Sequence, residues 1–512
     1  MSGLKINSNL RIAIFGALIL VIYRVASVFI APLPLHVDEA QYLGWSYQLD
    51  AGYYSKPPFI AWILGLNRFG CQLLGVESLE GCSRASQSVA LALASTFSGL
   101  SSWALFRDRR VAVLTAVLLI SSPLFGFYSL FATTDAWLLM WWSIALWLFI
   151  LAAHPNHLGI RLWVLCGIVV GFGLLTKYSM GIFVLSAFIW VVISKGLIRL
   201  GPWIAICSAI LVFLPNIVWN YQNDFPTITH HIHISQVQSL SAEAWNFSRN
   251  IKSFSEFFSY QFLLLGPVAM LGFLRFVIKR NTQSAQLGRE WQLLLVFALP
   301  MLIIISIQAF LSRAHVNWAA PAYIAVAVLI VNVWLGVPKN GESRTGKSLY
   351  LTTITVGVVC SLFFVHGLKL IYWNPDSLQL RALEGLRGWK EASLRLLSLA
   401  EEKHMAIVAE DRRLLATLHA YRGGRAILVL AYDSTGHKDN HYTWFSNIDS
   451  KRQESGQEFI WAMVGPEMSS KMLESRDQLL LSREFTSAPG FFAVVGRGEK
   501  IFVRTGNFNR IR

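Results

Sequence analysis

Charged residues are scarce in this chain of 512 residues, where Asp, Glu, Lys and Arg together make up 14% of the sequence. Soluble domains carry about a quarter. Hydrophobic residues make up 54% and recur in long runs, and the chain holds 19 Trp and 33 Phe. This composition excludes an ordinary soluble protein. It predicts a polytopic membrane protein whose aromatic residues lie at the membrane interfaces.

Acidic residues are scarcer than basic ones, with 29 Asp and Glu against 44 Lys and Arg. In a membrane protein such an excess is typical of basic cytoplasmic loops, so we predict no nucleic-acid partner. Residues 1–372 hold 24 basic and 12 acidic residues, whereas residues 373–512 hold 20 and 17. We therefore predict a membrane domain over 1–372 and a soluble domain over 373–512.

The apolar runs predict eleven transmembrane helices, each near the length needed to cross about 30 Å of hydrocarbon. They cover residues 12–31, 85–106, 111–130, 136–153, 161–176, 179–194, 200–220, 256–277, 291–311, 318–337 and 348–371. With a cytoplasmic N-terminus, the inner segments hold 15 basic and three acidic residues. The positive-inside rule then places the first loop, 32–84, and the domain 373–512 outside.

The segment 57–75 is apolar but contains Asn67 and Arg68. If it crossed the membrane, every later loop would invert. We predict a helix lying at the outer interface, with Pro57 and Pro58 at its start. We also predict that the first span remains as an uncleaved anchor, although a cleaved signal peptide stays an alternative.

Cysteine is rare, with five residues in the chain. Cys166, Cys207 and Cys360 fall in predicted spans, where we expect small buried side chains. Cys71 and Cys82 fall outside and stand 11 positions apart. The space outside a bacterial inner membrane is oxidising, so we predict a disulfide between them.

Most of the unusual polar residues fall in five predicted outer turns. These residues are His36, Asp38, Glu39 and Lys56; Asp135; Lys177; Asp224, His230, His231 and His233; and Arg313, His315 and Asn317.

Each of them also has an ordinary structural explanation. An acid at the start of a helix caps it, and a lysine at the end of a span reaches to the interface. His231 and His233 would share one face of a strand, but two ligands are too few for a metal site. No cofactor is predicted, and a divalent metal at His231 and His233 stays an open alternative.

Acids and bases on the outer face suit one kind of chemistry. No nucleotide-activated sugar reaches that side, so a transferase there needs a donor carried by a lipid. The donor phosphate would be bound by lysine or arginine. The acceptor hydroxyl would need a carboxylate as general base.

Five motifs then occur in order between about residues 10 and 335. They read "DEAQY", "YYSKPPFIAW", "TTDAWLLMWW", "GFGLLTKYSM" and "NWAAPAY". Together they resemble the lipid-linked-sugar glycosyltransferases with the C-type membrane fold. The most similar group is the bacterial relatives of the dolichyl-phosphate-mannose protein mannosyltransferases, which include the lipid A aminoarabinose transferases.

The resemblance implies a role for each matching residue. Asp38 would be the catalytic base, with Glu39 beside it and Asp135 as the second acidic position. The implied substrate-binding residues are Lys56 and Arg313 on the donor phosphate, with Tyr54, Lys177 and Asn317. The aminoarabinose-transferase pattern has Glu before the lysine, whereas this chain has Ser55. That departure puts a metal ligand at this position, and the aminoarabinose substrate itself, in doubt.

The predicted protein is thus an α-helical polytopic membrane glycosyltransferase with interfacial helices in its first outer loop and a C-terminal soluble α/β domain. It would transfer a sugar, with inversion, from a polyprenyl-phosphate donor to a cell-envelope acceptor on the periplasmic face of a bacterial inner membrane. The acceptor would be lipid A or lipopolysaccharide, another glycan or a protein.

Two other classes stay open. A transporter or flippase for the same lipids would place polar residues at the bilayer midplane, where the only charge is Arg24. A non-enzymatic envelope assembly protein would not need the acidic residues.

Overall fold

The fold is that of a computed structural model, which describes residues 8–154, 159–235, 246–283, 288–312, 314–336, 343–374, 381–432, 440–448, 458–465, 483–485 and 490–508. The chain divides into two compact units. One, here called the helical unit, comprises the chain up to Ile30, Lys56–Phe59 and Arg84–Gly367. The other, the mixed unit, comprises Ala31–Ser55, Ile60–Ser83 and Leu368–Arg512.

Helices make up the helical unit. They are α1 (Ser8–Ser27), α4 (Leu79–Phe106, whose first turn belongs to the mixed unit), α5 (Arg109–Ser121), α6 (Pro123–Tyr128), α7 (Thr134–Ala152), α8 (Ile160–Thr176), α9 (Gly181–Ile193), α10 (Leu200–Gln222), α11 (Pro226–Ser235), α12 (Phe247–Leu264), α13 (Pro267–Gln283), α14 (Arg289–Leu311), α15 (Ala322–Leu335) and α16 (Arg344–Leu362). A π-helical turn, Phe363–Gly367, continues α16.

Within the described residues, six helices are long and apolar enough to cross a membrane. The number is seven if the bent pair α12 and α13 counts as one span. Three shorter apolar helices cover Ile160–Thr176, Tyr178–Ile193 and Ala322–Leu335. The chain is therefore a multi-pass helical membrane protein, and the count of eleven crossings stays a prediction.

Two of the predicted spans are broken helices. The predicted span 256–277 falls on α12 and α13, which meet at an angle of 111°. Gly266 lies between them with φ of +100°, a backbone conformation that glycine tolerates, and Pro267 follows it. The predicted span 111–130 is α5 followed by α6, because Ser122 has extended backbone angles and its Oγ accepts a hydrogen bond from Phe125 N–H.

Arg24 is fully buried near the end of α1. Its Nη2 donates a hydrogen bond of 2.8 Å to Ser361 Oγ on α16. Of the cysteines expected to be buried in spans, Cys166 is buried, but Cys207 is exposed on α10 and Cys360 is half-buried. The expectation for Cys207 was wrong because α10 turns that side chain away from its neighbours.

Helices and one sheet make up the mixed unit. The helices are α2 (Val37–Trp45), α3 (Phe59–Leu73, whose first residue belongs to the helical unit), α17 (Leu368–Trp373), α18 (Arg381–Glu384), α19 (Trp389–Glu402), α20 (Arg412–Arg422) and α21 (His441–Phe445). The strands are β1 (Ala406–Ala409), β2 (Val429–Ala431), β3 (Glu458–Gly465), β4 (Arg483–Phe485), β5 (Gly490–Val495) and β6 (Glu499–Phe508).

In the described residues the six strands form one sheet with the order β2-β1-β3-β6-β4, and β5 also pairs with β6. β1 lies parallel to β2 and β3, while β6 lies antiparallel to β3, β4 and β5. Side chains of Val408, Leu430, Phe459 and Trp461 form the centre of its apolar core. β1 and β2 are buried along their whole length and β3 along most of it, as strands covered by helices are.

The first loop packs with the C-terminal part of the chain. α2 lies against α20, and the contact is close because residue 44 is a glycine. A Cβ atom added there would lie 3.2 Å from Cβ of His419. The sequence assigned the loop 32–84 to the membrane domain, whereas most of that loop belongs to the mixed unit. The reason is long-range packing, which carries no local sequence signal.

Two further contacts stabilise the second half of this loop. A disulfide joins Cys71 and Cys82, whose Cα atoms lie 6.1 Å apart. Glu80 is buried, and its Oε1 accepts hydrogen bonds of 2.6 Å from Lys390 Nζ and 2.9 Å from Tyr421 Oη. α3 begins directly after Pro57 and Pro58, as the sequence predicted for the segment 57–75.

Candidate functional site

The predicted site residues fall in both units. In the mixed unit, the first turn of α2 holds Asp38 and Glu39 under a capping box. His36 Nδ1 accepts a hydrogen bond of 3.3 Å from Asp38 N–H, and Glu39 Oε2 accepts one of 2.9 Å from His36 N–H. Such reciprocal bonds satisfy backbone donors that a helix otherwise leaves unpaired.

The capping box gives the two acids different surroundings. Glu39 is buried, and its carboxylate is used by the cap. The side chain of Asp38 is 51% exposed, so its carboxylate faces solvent. Of the two acids at the start of α2, Asp38 alone presents a solvent-accessible carboxylate.

Arg412 lies beside Asp38 and was not among the residues predicted from the sequence. Its Nη2 lies 3.9 Å from Asp38 Oδ1, while Asp38 Oδ2 lies 4.0 Å from His36 Nδ1. Arg412 is the first residue of α20, and it comes next to α2 because Gly44 lets the two helices approach. No spacing in the sequence connects positions 38 and 412.

The aromatic residues of the first loop form part of the interior of the mixed unit. Trp45 stacks on Tyr53 with ring centroids 4.5 Å apart, and His441 packs on the edge of Trp45 at 5.2 Å. Tyr54 is buried with its ring 5.8 Å from Trp444. Predicted to bind substrate, Tyr54 instead presents almost no surface, and these rings support the backbone that carries Asp38.

In the helical unit, Asp135, Lys177 and Asn317 come together. Asp135 is buried in the first turn of α7. Its Oδ1 accepts a hydrogen bond of 2.8 Å from Lys177 Nζ, and its Oδ2 accepts one of 3.2 Å from Asn317 Nδ2. The buried hydroxyl of Tyr128 interacts with the same carboxylate. All three residues were selected from the sequence as members of outer turns.

Two of these side chains lie outside regular α-helix. Lys177 follows α8 with extended backbone angles, and Asn317 lies in the 3-10 turn Val316–Ala319. Both carboxylate oxygens of Asp135 are thereby used by neighbours. The ion pair with Asp135 fixes the position of the Lys177 ammonium. Without this partner, the buried charge would destabilise the folded protein.

Lys56 also belongs to the helical unit and is half-buried. Three residues later the ring of Phe59 packs on Trp137 and Trp141, with centroids 5.4 and 5.5 Å away. Trp137 stands two positions after Asp135 on α7. The chain from Lys56 to Phe59 reaches at most about 10 Å, so Lys56 enters the helical unit near the end of α7 that carries Asp135.

The prediction for Arg313 stays untested, and the prediction for the two histidines is corrected. Arg313 lies outside the described residues. His231 and His233 were expected on one face of a strand, and this was wrong, because their backbone belongs to α11. Within the described residues no group of three or more His, Cys, Asp or Glu side chains could hold a metal ion.

Comparison with known proteins gives one family match and several relatives. Residues 55–219 match the family described as dolichyl-phosphate-mannose-protein mannosyltransferase, a range that includes Lys56, Asp135 and Lys177. The lipid A galacturonosyltransferase RgtD of Rhizobium johnstonii is 30% identical over 400 residues, covering 77% of this chain and 78% of that protein.

The undecaprenyl phosphate-alpha-4-amino-4-deoxy-L-arabinose arabinosyl transferase of Aeromonas hydrophila is 23% identical over 321 residues, covering 61% of this chain and 56% of that protein. Among solved structures, ArnT from Cupriavidus metallidurans bound to undecaprenyl phosphate aligns with a TM-score of 0.60 at 14% identity. The alignment covers 96% of this chain and 97% of that one, so the two share a fold.

Proposed function

The chain belongs to the membrane glycosyltransferases of the dolichyl-phosphate-mannose-protein mannosyltransferase type, and from this we propose that it transfers a sugar from a polyprenyl-phosphate donor to lipid A or lipopolysaccharide. The observation that carries the assignment of roles is the split environment of the acidic pair, with Glu39 buried in a helix cap and Asp38 open to solvent. The 30% identity to a lipid A galacturonosyltransferase makes a galacturonosyl donor the first substrate to test.

The proposed reaction is a single inverting displacement. Asp38 takes the proton of the acceptor hydroxyl while the hydroxyl oxygen attacks the anomeric carbon of the donor sugar. The bond between that carbon and the phosphate oxygen breaks, and polyprenyl phosphate leaves with the negative charge. Lys56 stabilises this charge, and Arg313 is the proposed second phosphate contact from the family resemblance.

Asp135 has a supporting role in this proposal. Its carboxylate holds Lys177 and Asn317 by direct contacts, so we assign it the positioning of those side chains. From the sequence, Asp135 would orient the acceptor or help to hold Asp38. Its pairing with Lys177 and Asn317 supports a role within the helical unit instead.

The finer topology is also part of the proposal. We propose eleven crossings of the bacterial inner membrane, a cytoplasmic N-terminus, and both the first loop and the C-terminal domain in the periplasm. The distribution of basic residues supports this orientation. Alkaline phosphatase fused after Asn374 should be active and fused after Arg107 inactive. The reverse pattern would contradict the proposed orientation.

Replacing the proposed base is the direct test of function. In purified protein with undecaprenyl-phosphate-linked galacturonate and lipid A, Asp38→Asn should lower kcat by about 100-fold or more. Asp50→Asn is the matched control, because Asp50 is an exposed acid of the same loop whose Oδ1 accepts a hydrogen bond from Ala51 N–H, which asparagine can keep. Comparable transfer by the Asp38 and Asp50 variants would remove Asp38 from the mechanism.

The same assay separates transfer from transport. A flippase would move the donor lipid across a vesicle membrane without forming a glycosylated product. Donor translocation by wild-type protein with no new glycosidic bond to any envelope acceptor would therefore favour the transporter over the transferase.

A further inference from the structure

Two adjacent arginines at the start of α20 have opposite surroundings. Arg413 is tied into the mixed unit: its Nη2 lies 3.2 Å from Asp411 Oδ2 and 2.8 Å from Glu499 Oε1, and its guanidinium lies 4.7 Å above the ring of Trp389. Partial burial lowers the pKa of Arg413, but the hydrogen bonds to Glu499 and Asp411 together outweigh it and leave the pKa raised. Arg413 is therefore a structural residue.

Arg412 has no comparable set of partners among the described residues. Its ion-pair contact is the one with Asp38, at 3.9 Å, which is longer than a hydrogen bond. The side chain is 47% exposed and that of Asp38 is 51% exposed. Exposed ion pairs of this kind contribute little to stability, so the contact does not explain why an arginine stands there.

The planar, positively charged guanidinium of Arg412 is thus exposed to solvent beside Asp38, the proposed general base. A guanidinium binds carboxylate or phosphate oxygens through two parallel N–H donors. The nearest described carboxylate, Asp38, does not occupy these donors. An anion that reached Arg412 would lie within a few ångströms of the carboxylate that accepts the proton.

The absence of a negative charge at position 55 is consistent with an anionic ligand. Ser55 stands before Lys56, where the aminoarabinose-transferase pattern has glutamate, and its side chain is buried and neutral. A negative charge next to the donor-binding lysine would repel an anionic sugar. This chain has no negative charge at position 55.

We propose that Arg412 binds an anionic oxygen pair of the substrate next to the bond being formed. This inference rests on the proposed function. Two substrates could supply such an oxygen pair: the carboxylate of a uronic acid on the donor, or a phosphate on the lipid acceptor. In either case Arg412 selects the substrate by its charge and takes no part in proton transfer.

The experiment compares Arg412→Ala with wild type on substrates that differ in one anionic group. One pair of donors is undecaprenyl-phosphate-linked galacturonate and its neutral counterpart, galactose. One pair of acceptors is lipid A with and without its phosphates. Arg425→Ala is the matched control, because Arg425 is 40% exposed and lies 3.8 Å from Glu401 in a similar surface ion pair.

If the donor carboxylate is the ligand, Arg412→Ala should raise KM for the galacturonate donor by about 10- to 100-fold, as expected for lost hydrogen bonds to a charged group. KM for the galactose donor should stay within about twofold, and Arg412→Lys should recover part of the loss. If the acceptor phosphate is the ligand, the same pattern should follow the phosphorylated acceptor. Arg425→Ala should behave as wild type.

A uniform change in kcat on all four substrates would overturn the proposal, because it would mean that Arg412 acts through Asp38. An Arg412 variant that matches Arg425→Ala on every substrate would overturn it as well. Failure of wild-type protein to transfer any sugar would instead count against the proposed function, so the two failures are distinguishable.

Discussion

The ion pair between Asp135 and Lys177 predicts a specific energetic coupling. The two side chains are 8% and 15% exposed, and Nζ lies 2.8 Å from Oδ1. Removing one partner of a buried pair leaves the other charge without compensation, at a cost of 3–5 kcal/mol. Since the Lys177 ammonium keeps some exposure, we expect the lower end, about 3 kcal/mol, for Asp135→Asn.

A double-mutant cycle measures this coupling directly. Lys177→Met should also lose about 3 kcal/mol, because the Asp135 carboxylate then keeps a hydrogen bond from Asn317 but no opposite charge. In the double variant neither charge remains, so its loss should fall short of the sum of the single losses by about 2–3 kcal/mol.

Equilibrium unfolding of the three variants by SDS in mixed micelles, followed by tryptophan fluorescence, gives these free energies. Asp135→Glu serves as a control that keeps the charge but moves it. Single losses that add within about 0.5 kcal/mol in the double variant would refute the coupling and with it the positioning role of Asp135.

Three further predictions concern the mixed unit. Burial lowers the pKa of His441 to about 3, so the unfolded chain binds a proton below about pH 6.5 that the folded chain does not. Stability should therefore fall as pH drops from about 6.5 towards 3, by at most about 2 kcal/mol at pH 5, which lies about 1.5 pH units below the pKa of an unfolded histidine. His441→Phe should flatten the pH dependence of the thermal-unfolding midpoint. A wild-type pH dependence in that variant would contradict the role of His441. Glu80→Gln should weaken the contact with Lys390 and lower the free energy of unfolding by about 2 kcal/mol, measured as a fall in the thermal-unfolding midpoint. An unchanged midpoint would mean that the contact does not stabilise the protein. Replacing Cys71 and Cys82 by serine should lower the free energy of unfolding by about 3 kcal/mol for a loop of this length. An unchanged rate of proteolysis of the first loop would contradict this expectation.

Residues with local chemical signals were predictable from the sequence. The apolar runs correspond to helices, and the double proline precedes α3 as predicted. Asp135, Lys177 and Asn317 were selected because each is a polar residue in a turn next to a long apolar run. The Gly-Pro pair at 266–267 also carried a signal, since that dipeptide marks a break, but the apolar run around it favoured one continuous span.

Other features had no local signal. The helical conformation of His231 and His233 overrides a period-2 pattern too short to be decisive. The division of labour between Asp38 and Glu39 depends on a hydrogen bond to the backbone of His36, which becomes visible only when the helix start is located. Tyr54 was predicted to bind substrate, and its burial beside Trp444 is visible only in the tertiary structure.

Local sequence thus determined which segments form apolar helices and which turns carry acids and bases, because hydropathy and helix termination depend on neighbouring residues. The tertiary structure decided which of those turns meet. It joined residues 135, 177 and 317 in one cluster and brought Arg412 to Asp38 across most of the chain. Such contacts come from the packing of whole helices, as α2 packs on α20 at Gly44, and packing of this kind leaves no periodic trace in the sequence.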